Sequence, residues 1–431
     1  MDAAMYMAVQ NNEPTTLRQL IDSGADVNEY YQDMTLISAK SILHMCCEKG
    51  RYDCVKVLLE RGANLYIRDT WYQTPLMYCM ITQYDDIAAL LLQHDPGIVD
   101  IGDKYGKSAM HIAVDVGSID CLKVLLRYGA DVNVRNDYGV TPLIHVCGNK
   151  SLEVDVMLEM VRLLVESGAD PNLKCYREAR TALQCAMIIK HVEVVETLLS
   201  AGSDPNVLDN GGRCPITTLL WYHRATGNDV DDDVMIICIL LIQSGASLNL
   251  CRFEHSNALC MATLYGYSKL VEYFLNNGAH QNAGFYCGVT PLQIATRHKD
   301  TRMMKILLQW PSDLYRKGRV IRGELDYNSD VFHLAIDIGA FEVAILLADS
   351  GYNVTRVKYF TDWSQAPPSS FNSEPVMLDY FRQRACSVQS LFILTMFAIR
   401  KSMPGNITES ARDLPLPKSL IGAIQLENVL T

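Results

Sequence analysis

The residues best suited to metal or nucleophilic chemistry are fourteen cysteines and ten histidines, in a chain of 431 residues. Their spacing builds no reactive site, because no C-x-x-C pair occurs and no His/Cys ladder has zinc-site spacing. The chain also lacks H-E-x-x-H, G-x-x-x-x-G-K and G-x-S-x-G motifs. We therefore predict a non-enzymatic protein with no metal and no cofactor, in which cysteines such as Cys46, Cys47 and Cys147 are small core residues.

Binding is the chemistry that the spacing of the aromatic residues favours. Trp71, Tyr105 and Tyr138 each stand three residues before the start of a predicted helix, and they are 34 and 33 residues apart. Rings at equivalent positions of successive units form a ladder, and aromatic side chains are common anchors at interfaces. We interpret these three residues as candidate contacts to a target protein. The alternative is that the rings only pack on neighbouring loops.

The charge of the chain argues against a phosphate-rich partner. Its formal net charge is −11, and a strongly acidic protein repels nucleic acid backbones. No signal peptide is visible, and the longest apolar runs have nine residues, half of a membrane span. We expect no nucleic acid partner, no membrane association and a cytoplasmic location. The basic stretch from Arg316 to Arg322 leaves nuclear import open.

A repeated signature defines the elements that would position these residues. An apolar pair followed by two variable residues and a helix-ending residue recurs ten times, with a basal period of 33 residues. Where Thr-Pro-Leu precedes the pair by about sixteen residues, Thr caps a first helix and Pro fits its first turn. The ten helix-ending residues are Gly24, Gly62, Asp95, Gly129, Gly168, Gly202, Gly245, Gly278, Pro311 and Gly351.

These residues resemble the ankyrin repeat family. The resemblance implies an all-α solenoid of about ten repeats, each with two helices and a β-hairpin finger. Two longer fingers are predicted, at about 30–38 and 314–327, and two insertions are predicted between the helices of repeats five and seven. Asp95 is compatible with a left-handed helix end, whereas Pro311 requires the second helix of repeat nine to end differently. The predicted domains are an ankyrin array at 1–355, a linker or capping segment at 356–385, and a separate module at 386–431.

The C-terminal module has a pattern of its own. The segment from Ser390 to Ile399 is apolar on all faces of a predicted helix, so it requires burial on more than one side. A Leu-Pro-Leu-Pro tetrapeptide follows at 414–417, and together the two segments resemble a SOCS box. The resemblance implies an elongin-binding helix with Ser390, Leu391, Leu394, Thr395, Ala398 and Ile399. It also implies a cullin-binding segment with Leu414, Pro415, Leu416, Pro417 and Leu420.

The whole chain thus resembles the ankyrin repeat and SOCS box family. That resemblance implies a substrate receptor of a cullin-RING ubiquitin ligase, with elongin C, elongin B and cullin-5 with its RING subunit as partners. Thr395 stands where the family usually has Cys, which places a hydroxyl in an apolar socket. This substitution is expected to weaken or abolish elongin binding unless the hydroxyl bonds the backbone carbonyl one turn back in the helix. The alternatives are an ankyrin scaffold with no ligase link, whose last helices only cap the array, and an enzyme. The sequence leaves the target and the oligomeric state open.

Overall fold

The computed structural model describes residues 2–32, 39–224, 230–250, 257–282, 288–321, 326–362 and 364–386. Helices account for nearly all regular structure there, and they come in antiparallel pairs joined by short turns. The chain divides into two compact units, 1–211 and 212–431. Within the described residues no helix is long and apolar enough to cross a bilayer.

The first unit contains six helix pairs in its described part. The helices are α1 Asp2–Gln10, α2 Pro14–Asp22, α3 Ile42–Lys49, α4 Tyr52–Glu60, α5 Pro75–Thr82, α6 Asp85–His94, α7 Ala109–Val116, α8 Ile119–Arg127, α9 Pro142–Gly148, α10 Val154–Glu166, α11 Ala182–Ile189 and α12 Val192–Ser200. Each first helix packs on the next, from α3 to α11, and the second helices form a parallel row. The core lies between the two rows, and it includes the fully buried Cys46, Cys47 and Cys147.

The second unit contains four helix pairs and a C-terminal extension in its described part. The helices are α13 Pro215–Tyr222, α14 Asp232–Gln243, α15 Ala258–Leu264, α16 Ser268–Asn276, α17 Pro291–Arg297, α18 Thr301–Leu308, α19 Val331–Asp337, α20 Phe341–Asp349, α21 Lys358–Thr361 and α22 Pro375–Cys386. The first helices again pack in sequence, from α13 to α19. The ten pairs across both units agree with the ten predicted repeats.

Local chemistry places the helix ends where the repeat pattern predicts them. Thr141 accepts a hydrogen bond from the Ile144 amide, and Pro142 opens α9. All eight glycines among the predicted helix-ending residues have positive φ, which a glycine adopts without steric cost. The two predicted helix ends without glycine differ. Asp95 is extended, with φ −149°, and its carboxylate caps the 3-10 turn Pro96–Ile98. Pro311 lies beyond its helix, because α18 already ends at Leu308.

The fingers and insertions differ in part from the sequence prediction. Regular strand pairing occurs in the two long fingers, where β1 Tyr30–Gln32 pairs with β2 Ala39–Ser41 and β3 Gly318–Ile321 pairs with β4 Asp326–Ser329. In the other fingers of the described residues the chain makes tight turns without strands. The insertions of repeats five and seven also lengthen the second helix, since α10 has 13 residues and α14 has 12, against nine in α8.

An aromatic cluster closes the described end of the second unit. The Phe332 ring stacks on Tyr352 at 4.4 Å, and the Phe360 ring stacks on Phe381 of α22 at 5.4 Å. Phe371, from the segment between α21 and α22, is buried beside Phe360. An ion pair of 2.6 Å between Arg384 and Asp349 ties α22 to α20. Residues 354–386 therefore pack onto the last helix pair and cover its apolar side chains.

Candidate target-binding surface

The tips of the first unit's fingers are fixed by side chains that bond their own backbone. Asp69 Oδ1 accepts hydrogen bonds from the amides of Trp71 and Gln73, at 2.8 and 2.7 Å. Asp103 and Asn136 make the same pair of bonds in the next two fingers, at 2.8 to 3.0 Å. Such turns hold the next residues of the tip in one conformation.

These turns present the three predicted aromatic residues to solvent. Trp71 is 50% exposed, Tyr105 is 46% exposed and Tyr138 is 55% exposed. A fourth ring, Tyr176, is 62% exposed on the following finger, and sequence spacing missed it. Its amide donates to the carbonyl of the preceding finger, as the amides of Lys104 and Asp137 do, so Tyr176 occupies their position and not that of Tyr138. Its finger is one residue longer, so Tyr176 stands five residues before Thr181, whereas Asp137 stands four residues before Thr141.

Backbone hydrogen bonds join the four tips into a continuous surface. The Lys104 amide donates to the Trp71 carbonyl at 3.2 Å, and the Asp137 amide donates to the Tyr105 carbonyl at 3.0 Å. The Tyr176 amide donates to the Tyr138 carbonyl at 2.8 Å. Each aromatic carbonyl is thus the acceptor for the next finger. The three predicted rings accordingly occupy successive positions on one surface.

A cation separates the first two rings. The Lys104 ammonium lies 3.4 Å from the centre of the Trp71 ring and 4.7 Å from the centre of the Tyr105 ring. Attraction between an ammonium and the electron-rich faces of aromatic rings contributes about 0.5 to 2 kcal/mol. This contact holds Lys104 between two exposed rings, and Lys104 forms no ion pair with a carboxylate among the described residues.

Arginines line the same row of tips. The Arg68 guanidinium lies over the Tyr72 ring at 5.8 Å, and the Arg135 guanidinium lies over the Tyr176 ring at 5.7 Å. Both arginines are exposed. The surface thus alternates aromatic rings with cations over four successive fingers.

An open groove of about 510 Å³ lies beside the tips. Its lining includes Ile81, Ile112 and Val116 from the first helices and Tyr105 and Tyr138 from the fingers. The volume falls within the range of ligand pockets, and the lining is mostly apolar. The groove can therefore accept side chains from a segment that lies along the fingers.

One charged cluster borders this groove. Asp115 forms an ion pair with Lys107 at 2.7 Å and also pairs with His145. Partial burial works against the charged carboxylate, but the contacts with His145 and Lys107 outweigh it and hold the pKa of Asp115 to about 2. Asp115 is thus an ionised, internally neutralised group at neutral pH.

Two buried histidines tie the first helices to the fingers. His44 Nε2 lies 3.0 Å from the Gln73 carbonyl oxygen, and His111 Nε2 lies 2.9 Å from the Val140 carbonyl oxygen. Nε2 must carry the proton to donate to a carbonyl, so Nδ1 accepts from the Ser41 or the Ser108 amide. Burial lowers the pKa of both imidazoles to about 4, so both are neutral at pH 7.

His333 and two glutamines make related hydrogen bonds in other repeats. His333 Nδ1 lies 2.8 Å from the Asp330 carboxylate. In two other repeats Gln184 and Gln293 take the histidine's place, and Gln293 Nε2 donates to the carbonyls of Arg316 and Ser329 at 3.1 Å. These bonds are structural. Within the described ranges no group of His, Cys, Asp and Glu could hold a metal ion.

The remaining predicted site residues lie outside the described residues. These are the elongin-binding residues Ser390, Leu391, Leu394, Thr395, Ala398 and Ile399 and the cullin-binding residues Leu414, Pro415, Leu416, Pro417 and Leu420. In the basic finger the side chains of Arg316 and Lys317 are exposed. The side chains of Arg319 and Arg322 are not among those described.

Comparison with known proteins identifies the array. A family model described as Ankyrin repeats (3 copies) matches residues 2–69, 43–136, 110–209 and 223–318, which is well over half of the chain. The chain belongs to the ankyrin repeat family. This confirms the predicted fold class, and the finger-tip surface is therefore a surface of an ankyrin array.

Curated relatives match parts of the chain. Human Ankyrin repeat and SOCS box protein 6 is 28% identical over 264 residues, which is 58% of this chain and 60% of that protein. The Arabidopsis thaliana E3 ubiquitin-protein ligase KEG is 24% identical over 61% of this chain, and human Inversin is 29% identical over 42%. The match spans only 16% of the length of KEG and of Inversin. These proteins are similar to the chain over part of their length.

Comparison with solved structures finds matches to two ankyrin domains. The ankyrin repeat domain of human ASB11 is 21% identical, with a TM-score of 0.43, and the match covers 55% of this chain and 96% of that domain. The ankyrin repeat domain of Bcl-3 is 23% identical, with a TM-score of 0.43, and the match covers 62% and 96%.

Proposed function

We propose that this ankyrin repeat protein is the substrate-recognition subunit of an elongin–cullin-RING ubiquitin ligase. The array would bind the target through its fingers and groove. The segment 390–399 would bind elongin C, which associates with elongin B, and the segment 414–420 would recruit cullin-5 with its RING subunit. The chain itself would carry out no chemistry, and the complex would act in the cytoplasm or the nucleus.

The resemblance of the tail to a SOCS box is the first support for this proposal. A wholly apolar helix pattern at 390–399 is followed by a Leu-Pro-Leu-Pro segment at 414–417, as the resemblance to a SOCS box requires. Human Ankyrin repeat and SOCS box protein 6 carries that module in its name and matches over 60% of its own length. KEG is named as a ubiquitin ligase, and its match is confined to 16% of its length.

The observation that carries the proposal is the covered end of the array. A solenoid needs its last apolar face covered, and this need would explain an apolar helix at the C-terminus without any partner. In this protein Phe360, Phe371 and Phe381 already cover Phe332 and the neighbouring side chains of the last helix pair. The apolar segment that begins at Leu391 is therefore not required as a lid. Its pattern calls for another apolar surface, which supports an adaptor protein as its partner.

The physical effect of such a complex would be an increase in local concentration. A target held on the array and a ubiquitin carrier held by the RING subunit become parts of one assembly, so their encounter is intramolecular. The effective concentration of two groups joined by a short flexible linker is on the order of mM. Affinity of the array for its target then sets which proteins are modified.

Reconstitution with purified elongin B–C tests the proposal. The full chain is expected to co-elute with elongin B–C on gel filtration at micromolar concentration, and Leu391→Asp is expected to abolish the co-elution. Asn406→Asp is the matched control, because it adds the same charge in the polar stretch between the two tail segments. If the unmodified chain elutes apart from elongin B–C, the ligase proposal is wrong and a plain ankyrin scaffold remains.

A further inference from the structure

The finger tips carry cations that lack acidic partners in a protein with an excess of acid. The chain has 49 acidic and 38 basic residues, and some of the described lysines and arginines form ion pairs, among them Arg18, Lys40, Arg61 and Lys123. By contrast Arg68, Lys104 and Arg135 make no ion pair with any carboxylate in the described part of the chain, and they lie against aromatic rings instead.

The local charge balance of these fingers is opposite to that of the whole chain. The stretches 68–73, 102–107, 135–140 and 174–180 hold seven basic and four acidic residues. Two of the acids, Asp69 and Asp103, accept hydrogen bonds from backbone amides of their own turns. A third, Glu178, pairs with Arg180. Two of the basic residues, Lys107 and Arg180, are likewise paired with carboxylates. The remaining five basic residues outnumber the remaining three acidic residues, so the surface is locally positive.

We propose that the finger-tip strip binds an extended acidic segment of the target protein. The strip consists of Arg68, Trp71, Lys104, Tyr105, Arg135 and Tyr138. This inference rests on the proposed role of the array in holding a target. Carboxylates of the segment pair with the three cations, and the side chains between them pack on the exposed rings and enter the adjacent groove.

The contact between Lys104 and its two rings gives the strip a defined centre. An ammonium has three donors, and ring faces satisfy none of them with a strong acceptor. The Lys104 ammonium therefore keeps donors for an incoming carboxylate while Trp71 and Tyr105 hold it in place. A charge-assisted hydrogen bond formed there is stronger than a bond between neutral groups. The aromatic rings flank that carboxylate and shield it from water.

The repeat spacing sets the spacing of the acidic residues. Helices in contact lie about 8 to 10 Å apart, and adjacent fingers follow the same spacing. An extended peptide advances about 3.3 Å per residue, so three residues cover one repeat. The preferred segment therefore carries Asp or Glu at about every third position, with apolar or aromatic residues between them.

A single-stranded nucleic acid also combines negative charge with stacking surfaces, and the test includes it as an outcome. The net charge of −11 disfavours it, because a long phosphate backbone would extend beyond the strip over an acidic protein. A peptide confines its carboxylates to the strip.

Selection from a random-peptide display library on the purified full-length chain tests the inference. The variant carries Arg68→Gln, Lys104→Gln and Arg135→Gln. The matched control carries Lys56→Gln, Lys123→Gln and Arg127→Gln, which removes the same charge from exposed positions of the second helices in the same unit. Circular dichroism and thermal unfolding verify that both variants are folded. Fluorescence anisotropy then measures the selected peptides and a labelled single-stranded RNA.

The expected result is enrichment of acidic peptides that bind the variant about tenfold or more weakly, with control affinity within about twofold of the unmodified chain. Trp71→Ala is expected to weaken the same peptides. The inference is wrong if no peptide is retained, if the enriched peptides lack excess acid, if the variant binds them as tightly as the unmodified chain, or if RNA binds more tightly and displaces them.

Parallel gel filtration with elongin B–C separates this inference from the ligase proposal. The variant changes only the fingers, so its co-elution with elongin B–C is expected to equal that of the unmodified chain. If the chain does not bind elongin B–C but binds acidic peptides as described, the ligase proposal is wrong and the peptide site is supported. If the chain binds elongin B–C but the peptide results are not obtained, only the proposed peptide site is wrong.

Discussion

His111 Nε2 lies 2.9 Å from the carbonyl oxygen of Val140, which belongs to the finger of the following repeat. The same relationship joins His44 to Gln73 at 3.0 Å. Each bond requires a neutral imidazole with its proton on Nε2. The finger that presents Tyr138 is thus held by a group whose protonation state depends on pH.

The first prediction is a loss of stability in mild acid. Burial lowers the pKa of His44 and His111 from 6.5 to about 4, so between these values the unfolded chain binds more protons than the folded chain. Stability is therefore full above pH 6.5 and falls as the pH drops towards 4, by on the order of 3 kcal/mol for each histidine. Urea unfolding at pH 7.5 and pH 5 measures the part of this loss reached by pH 5, which is about 2 kcal/mol for each histidine.

The second prediction concerns replacement of this histidine. Gln293 makes the equivalent bonds in another repeat, so His111→Gln is expected to keep the finger in place and to remove that site's share of the pH dependence. His111→Leu leaves the Val140 carbonyl without its donor, and it is expected to cost about 1 to 3 kcal/mol at neutral pH. The exposed His94→Gln is the control and should change neither quantity. A pH dependence that survives His111→Gln undiminished would contradict this account of the site.

The third prediction separates Asn from Ala at the base of a finger. Asp103→Asn keeps an oxygen that accepts from the Tyr105 and Lys107 amides, as Asn136 does in the next repeat, and should be nearly neutral. Asp103→Ala loses both bonds and is expected to cost about 1 to 3 kcal/mol. Hydrogen exchange at the two amides should accelerate in Asp103→Ala alone; equal rates in the two variants would show that the side chain does not hold the turn.

The fourth prediction concerns the covered end of the array. Phe381 is fully buried between the rings of Phe360 and Phe332, so Phe381→Ala is expected to cost about 3 to 5 kcal/mol. Val376 lies on the same helix and is 75% exposed, so Val376→Ala should have little effect. Thermal unfolding of both variants tests the role of α22 as a cover. Similar melting temperatures for the two would remove the main support for an apolar tail free to bind elongin.

The fifth prediction addresses the tail's departure from the SOCS box family. Thr395→Cys removes a hydroxyl from the face that the resemblance assigns to elongin C, and burial of an unbonded hydroxyl costs about 1 to 3 kcal/mol. Elongin B–C is therefore expected to bind the Cys variant about fivefold or more tightly in isothermal titration calorimetry. Thr395→Ser retains the hydroxyl and should show no gain. Equal affinities of the Cys variant and the unmodified chain would mean that the hydroxyl carries no penalty.

Sequence reasoning predicted the features that depend on neighbours along the chain. Caps such as Thr141 with Pro142 and the glycine helix ends follow from local backbone chemistry, and their regular recurrence gives the repeat number. Spacing alone also predicted that Trp71, Tyr105 and Tyr138 lie on one surface. These features need no knowledge of how distant segments pack.

Sequence reasoning did not predict the features that depend on packing between repeats. Asp95 was compatible with a left-handed helix end, but its carboxylate caps a 3-10 turn instead, with the residue itself extended. Tyr176 was missed because it occupies the finger position of Lys104 and Asp137, and not that of the three predicted rings. The position of Lys104 between two rings follows from the stacking of two fingers, which no local pattern encodes. The coverage of Phe332 by residues from 354 onward is likewise a tertiary contact.

The bonds from histidine to finger also affect how the protein is made. Donor and acceptor are only 29 residues apart in both cases, from His44 to Gln73 and from His111 to Val140. Contacts of such short sequence separation form quickly, and during translation the N-terminal part of a chain folds first. Each repeat can therefore be fastened soon after the next finger leaves the ribosome, so the nascent array would expose little more than its newest repeat to aggregation or proteolysis.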